Sequence, residues 1–129
     1  MNFFALLLVA GFMVNGSSWP RQKRTQPDGD QLVLDQLKKA GSKLEKPHSI
    51  EFFLYLPTED GAWKAAELVS KEGCTVHVEL GADQKQWLCF ATKLMVPKHS
   101  DLQRLRKRFE AICAKFGGEY DGWGTPIVE

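Results

Sequence analysis

The chain has 129 residues, a formal net charge of +1 and 26% charged residues. That length suits one domain plus a tail, and the near-neutral balance excludes the pervasive basic surface of a general nucleic-acid binder. Cys74, Cys89 and Cys113 are odd in number and widely spaced, with no C-x-x-C pair. They predict reduced, buried thiols and point to neither a zinc site nor a dithiol centre.

Phe3 to Val14 (FFALLLVAGFMV) is almost purely apolar. A membrane span needs ~20 residues, so this run reads as a short anchor stretched to Trp19, a secretory signal, or residues ahead of a true start at Met13. Arg21, Lys23 and Arg24 follow it and favour an anchor that leaves the rest of the chain in the cytoplasm; signal cleavage would instead export it. Gly16 to Gly29 has linker composition. The expected division is an apolar segment and linker over 1–29, and a folded domain over 30–129.

Asp30 is placed to cap a helix from Gln31 to Ala40, with Leu32, Leu34 and Leu37 as its stripe and Gly41 ending it. Lys43 to His48 is a connector. Ser49 to Pro57 (SIEFFLYLP) alternates as a strand: Ile50, Phe52, Leu54 and Leu56 on one face, Glu51, Phe53 and Tyr55 on the other. The second face is partly apolar and predicts a cover: the N-terminal helix, a second copy or a partner.

Thr58 to Glu72 reads as a helix with Ala62, Ala65, Ala66, Leu68 and Val69 toward the sheet. Cys74 to Leu80 and Gln86 to Met95 read as a hairpin around Gly81-Ala82-Asp83. Ser100 to Phe116 is the clearest helix, with Ser100 and Gln103 as a capping box and Gly117-Gly118 as its stop. Glu119 to Val128 is a final strand, expected at a sheet edge because Pro126 lacks an N–H. The order helix, then β-α-β-β-α-β, predicts an α+β, ferredoxin-like antiparallel sheet with an extra N-terminal helix.

No metal or cofactor motif appears. His48, His77 and His99 are dispersed, and no nucleophile pairs with them at readable spacing. A small enzyme using Cys74 and His77 is one alternative, with Cys74 the most accessible thiol. An RNA-binding module is another, motivated by Arg104 to Arg108 and the aromatics Phe53, Tyr55 and Trp87. The competing reading of the basic run is a solvated helix face partly paired with Asp101 and Glu110. Tyr120, Asp121, Gly122 and Trp123 read either as a bulge pinning the last strand or as a recognition patch.

Glu119-Tyr120-Asp121-Gly122-Trp123-Gly124, with Ala91 to Pro97 (ATKLMVP) and the helix after it, resembles the RraB family, regulator of ribonuclease activity B. Leu34 to Leu54 is similar to the family's opening, so the resemblance runs from Asp30 to the C-terminus. It implies a ferredoxin-like fold and a non-enzymatic role, an inhibitor that binds ribonuclease E and alters RNA turnover. Well-known members are strongly acidic, and this chain is near neutral. The expected contact residues for a protein partner are Tyr120, Asp121, Trp123, Phe53 and Tyr55.

Overall fold

A computed structural model describes residues 6–8 and 29–129. The domain begins with α1 (Gly29–Lys39), followed by β2 (His48–Leu56), α2 (Glu59–Ser70), β3 (Thr75–Leu80), β4 (Trp87–Met95), α3 (His99–Lys115) and β5 (Glu119–Pro126); ahead of it, Leu6–Leu8 forms a short β1. The strands lie in the order β1-β5-β2-β4-β3, and each described pairing is antiparallel. Without β1 this is the ferredoxin-like order expected from the alternation of strands and helices.

Local chemistry explains the element ends. Thr58 accepts a bond from Gly61 N at 3.0 Å and so caps α2. At the end of α1, Gly41 takes a φ of +95° and Ser42 N donates to Leu37 O at 2.9 Å. Gly117 (φ +77°) and the bond from Gly118 N to Cys113 O at 2.8 Å repeat that device after α3. Both are left-handed caps that glycine adopts without a Cβ penalty. The expected capping box of α3 is not its start: the helix begins at His99, and its N-cap Lys98 makes no side-chain capping bond.

The helices share one side of the sheet. Ile50, Phe52, Leu54 and Leu56 of β2 are fully buried there with Ala62, Ala65 and Val69 of α2 and Leu105 and Phe109 of α3. Phe52 meets Phe109 edge-on, with ring centroids 5.0 Å apart. Val33, Leu34 and Leu37 of α1 join this same core. The N-terminal helix therefore does not cover the second face of β2, because its apolar stripe is used on the helix side.

β5 is not the edge strand. Leu6, Leu7 and Leu8 pair with Pro126, Thr125 and Gly124 on its outer side. Pro126 sits in the terminal rung, where a missing N–H interrupts no interior ladder. Three residues of the segment read as an anchor or signal thus form a strand; the remainder of that segment and the linker up to Asp28 lie outside the described residues. Among the described residues, no helix is long and apolar enough to cross a membrane.

Candidate functional site

The Tyr-Asp-Gly-Trp motif lies within β5. Phe52 pairs with Trp123 and Leu54 with Tyr120, so three steps along β5 oppose two along β2. This is a bulge at Asp121-Gly122, and Gly122 has the φ of +100° that such an insertion favours. In an unbroken strand, residues three apart point to opposite faces. The extra residue sends Tyr120 and Trp123 to the same one, toward the helices.

Both aromatics are consequently interior. Trp123 is 1% exposed and Tyr120 is 7% exposed. Trp123 Nε1 donates to Asp30 Oδ1 at 3.0 Å, and Arg106 Nε donates to Asp30 Oδ2 at 3.0 Å. One buried carboxylate of α1 thereby joins β5 to α3. Tyr120 packs beside Phe109 at 5.9 Å between ring centroids. Burial pushes the Tyr120 hydroxyl well above its usual range, with the Asp30 carboxylate adding to the effect. The expected contact residues Tyr120 and Trp123 thus lie on the helix side of the sheet, because the bulge turns them inward.

The opposite, open face is read directly from the register. On it, Thr75, Thr92 and Glu51 form one row across β3, β4 and β2; His77, Phe90 and Phe53 form the next; Glu79, Leu88 and Tyr55 form the third. Phe53 and Phe90 touch at 5.4 Å between centroids, and Phe53, although buried, is outside the main core cluster. A shallow depression of about 520 Å³ lies over these side chains, lined by Phe53, Leu88 and Phe90 with Thr75, His77, Glu79 and Thr92. Beyond it, Leu94 stands 72% exposed.

Carboxylates ring the half-buried Tyr55. Its hydroxyl is pushed above the usual phenol range first by burial, then by Asp121, Asp83 and Glu79. Asp83 belongs to the β3–β4 turn, where it accepts bonds from Lys85 N at 2.9 Å and Gln86 N at 3.1 Å. Those amides hold its carboxyl below the usual range. Phe53, Tyr55 and Asp121 are thus brought together on one face, while Tyr120 and Trp123 lie beneath it. Leu88 and Phe90 share that face, and their alternation with Cys89 and Ala91 in WLCFA is the sequence signal for it.

The enzymatic constellation does not assemble. Cys74 is buried rather than accessible, on the helix side with Cys89 and Cys113, while His77 is on the open face and pairs with Glu79 at 3.2 Å. Burial raises the Cys74 thiol and pushes Cys89 and Cys113 up to about 12. Reactive thiols need the opposite shift. His48 does have a hydroxyl neighbour: Ser42 Oγ lies 2.6 Å from its Nε2, and His48 Nδ1 lies 2.7 Å from Lys46 O. Ser42 Oγ also accepts from Val128 N at 2.9 Å, so the pair latches the C-terminal segment onto the α1–β2 connector. Among the described residues, no group of three or more His, Cys, Asp or Glu could hold a metal ion.

Of the aromatics in the RNA-binding alternative, Phe53 and Tyr55 lie on the sheet face away from α3, while Trp87 shares the helix side with Leu56 and packs against the core. Arg104 and Arg108 flank Glu72 at 3.3 and 3.1 Å on the helix side, and Arg106 is taken by Asp30. The expected Arg106–Glu110 pairing is present at 3.9 Å, but Glu72 and Asp30, distant in sequence, are the closer partners. These arginines belong to α3, on the side of the sheet opposite Phe53 and Tyr55.

The architecture defines an α+β protein of ferredoxin-like topology, with helices on one face of its sheet and a partly apolar second face that no described helix covers. The family model described as "Regulator of ribonuclease activity B" (RraB) matches residues 28–125, and the chain belongs to that family. No curated protein matches the chain.

Proposed function

We propose that this protein is a non-catalytic regulator that binds a ribonuclease through the open face of its sheet, with ribonuclease E as the target the family suggests. The observation that carries the reading is the cluster of Phe53, Phe90, Leu88 and Tyr55 on a sheet face that no described helix covers. Aromatic side chains in a shallow, pre-formed depression are the usual anchors of a protein interface, since they bury much area with few rotors to freeze. Asp121 completes the rim, carried there by the bulge. Tyr120 and Trp123 act as supports. Three free, buried cysteines accord with action in the reducing cytoplasm, which is part of the proposal.

The test is capture of purified ribonuclease E on the immobilised chain, together with the rate at which that enzyme cleaves an RNA substrate. Wild-type chain is expected to retain the ribonuclease and slow cleavage. Tyr55→Ala and Phe90→Ala should lose both effects while keeping the wild-type far-ultraviolet circular dichroism. Folded variants that retain full capture and inhibition would remove this face from the proposal.

A further inference from the structure

The sheet ends differently on its two sides. At one end β5 has a bulge, Pro126 in its last rung and the three-residue β1 against it. At the other end lies β3, and among the described residues no strand pairs with its outer side. Its sequence, Thr75-Val76-His77-Val78-Glu79-Leu80, holds no proline, lysine or arginine. Its register with β4 runs unbroken from Thr75 opposite Thr92 to Leu80 opposite Trp87, so no bulge turns the edge away. Proline, lysine and bulges are the usual devices that stop an edge strand from pairing with another chain. Apolar surface continues over this edge. Leu80, on the helix side of β3, and Trp63 of α2 are both exposed. Gly61 of α2 faces Phe116, just past α3. Trp63 lies two residues on and about 200° around the helix, so it points away from α3, toward the β3 edge.

We infer that β3 pairs antiparallel with β3 of a second copy of this chain, about a two-fold axis that passes through Val78 and is normal to the sheet. Side chains directly opposite in an antiparallel pair share a face, and a slip of one residue would mix the faces. Centred on Val78, Val76 meets Leu80 of the copy, Val78 meets Val78, and each His77 meets a Glu79. His77 and Glu79 already associate at 3.2 Å within one strand. Centred on His77 instead, the two imidazoles would oppose each other and Thr75 would oppose Glu79. The Val78 register is therefore the self-complementary one, as a two-fold interface requires. The helices fit as well. α2 packs over β3 and β4. With strands about 4.8 Å apart, a helix above the β3–β4 gap lies about 10 Å from its copy across the seam, the packing distance of two helices. Trp63 and Leu80 are covered at that seam. The inference goes beyond the regulator reading: the axis leaves both open faces on one side, so a dimer presents two docking depressions together.

The experiment is sedimentation equilibrium of the full chain over concentrations from about 1 μM to about 1 mM. A concentration-dependent rise from 14.6 kDa toward twice that mass is expected. His77→Glu sets like charges opposite each other at two places and should weaken association at least tenfold. His77→Glu/Glu79→Lys restores opposite charges across the seam with their signs exchanged, and should return association to within about threefold of wild type. Both side chains are exposed, so each variant should keep the wild-type far-ultraviolet circular dichroism. The outward amides of β3 should exchange with solvent more slowly in the dimer than in the monomer.

A chain that stays monomeric throughout, association unchanged by His77→Glu, or a double variant as weak as the single one would overturn the inference. A monomer whose outward β3 amides are nonetheless protected would overturn it too, and would give the edge to another segment of the same chain. The ribonuclease test is separate. If wild-type chain is a monomer that captures ribonuclease E, this inference fails and the regulator reading stands. If it is a dimer that captures none, the regulator reading fails and this inference stands.

Discussion

Trp123 donates its indole N–H to Asp30 Oδ1 at 3.0 Å, a bond between residues 93 apart in sequence. The same carboxylate holds Arg106, so removing it strands a buried donor and a mostly buried guanidinium together. Breaking one partner of a buried pair is far more costly than the net worth of the pair. Asp30→Ala is expected to destabilise the domain by about 3 kcal/mol, and Trp123→Phe by about 2 kcal/mol through the lost bond and packing. The double variant should fall short of their sum by about 1 kcal/mol, because the shared bond is lost once. Urea unfolding of the four proteins measures this; strict additivity would show that the bond contributes nothing.

The bulge is the device that separates support from surface. Gly122 holds a φ of +100°, which side chains with a Cβ rarely adopt. Gly122→Ala is expected to cost about 1–3 kcal/mol. It should also disturb Asp121 and Tyr55 more than the helices, since the strain falls on one rung of the sheet. Denaturant unfolding gives the first quantity, and amide shifts that cluster on β5 and β2 give the second. A variant as stable as wild type would remove the strain argument.

Much of the scaffold was legible because its signals are local. SIEFFLYLP alternates, and in the structure its even positions are interior while Glu51 and Tyr55 are half-exposed. α3 showed its stripe at helical spacing, and Leu102, Leu105, Phe109, Ile112 and Cys113 are its buried residues. The site was less legible because its geometry depends on distant residues. Nothing near Asp30 announces Trp123 as its partner. Tyr120 to Trp123 read either as a bulge or as a recognition patch, and only the pairing with β2 shows that the inserted residue turns both aromatics inward. The leucines of β1 fit a strand or a helix equally well by periodicity, so their pairing with β5 could not be read from the run itself.

Glu51 gives a pH signature. Burial on the open face raises its carboxyl above the ordinary 4.5. The unfolded chain then releases this proton at lower pH than the folded one, so the group's effect on stability becomes unfavourable as pH rises upward from about 4.5. Below that window both states are protonated and the penalty vanishes. Glu51→Gln is therefore expected to raise the melting temperature at pH 7 and to have little effect near pH 3. A melting-temperature difference that is the same at both values would contradict the desolvation origin.

Thiol accessibility gives an independent check on the packing. Cys74, Cys89 and Cys113 are all buried against the helices, and Cys89 and Cys113 have thiols pushed up to about 12. At pH 8 almost no thiolate is available at those two positions, and reagent access requires opening of the core. Native protein is expected to react with 5,5′-dithiobis(2-nitrobenzoate) at least a hundredfold more slowly than protein in 6 M guanidinium, where all three react. Cys74 should be the first to react, since it lies at the start of β3 and its 8% exposure is the highest of the three. Rapid modification of Cys113 in the native state would mean that α3 does not seal the core as described.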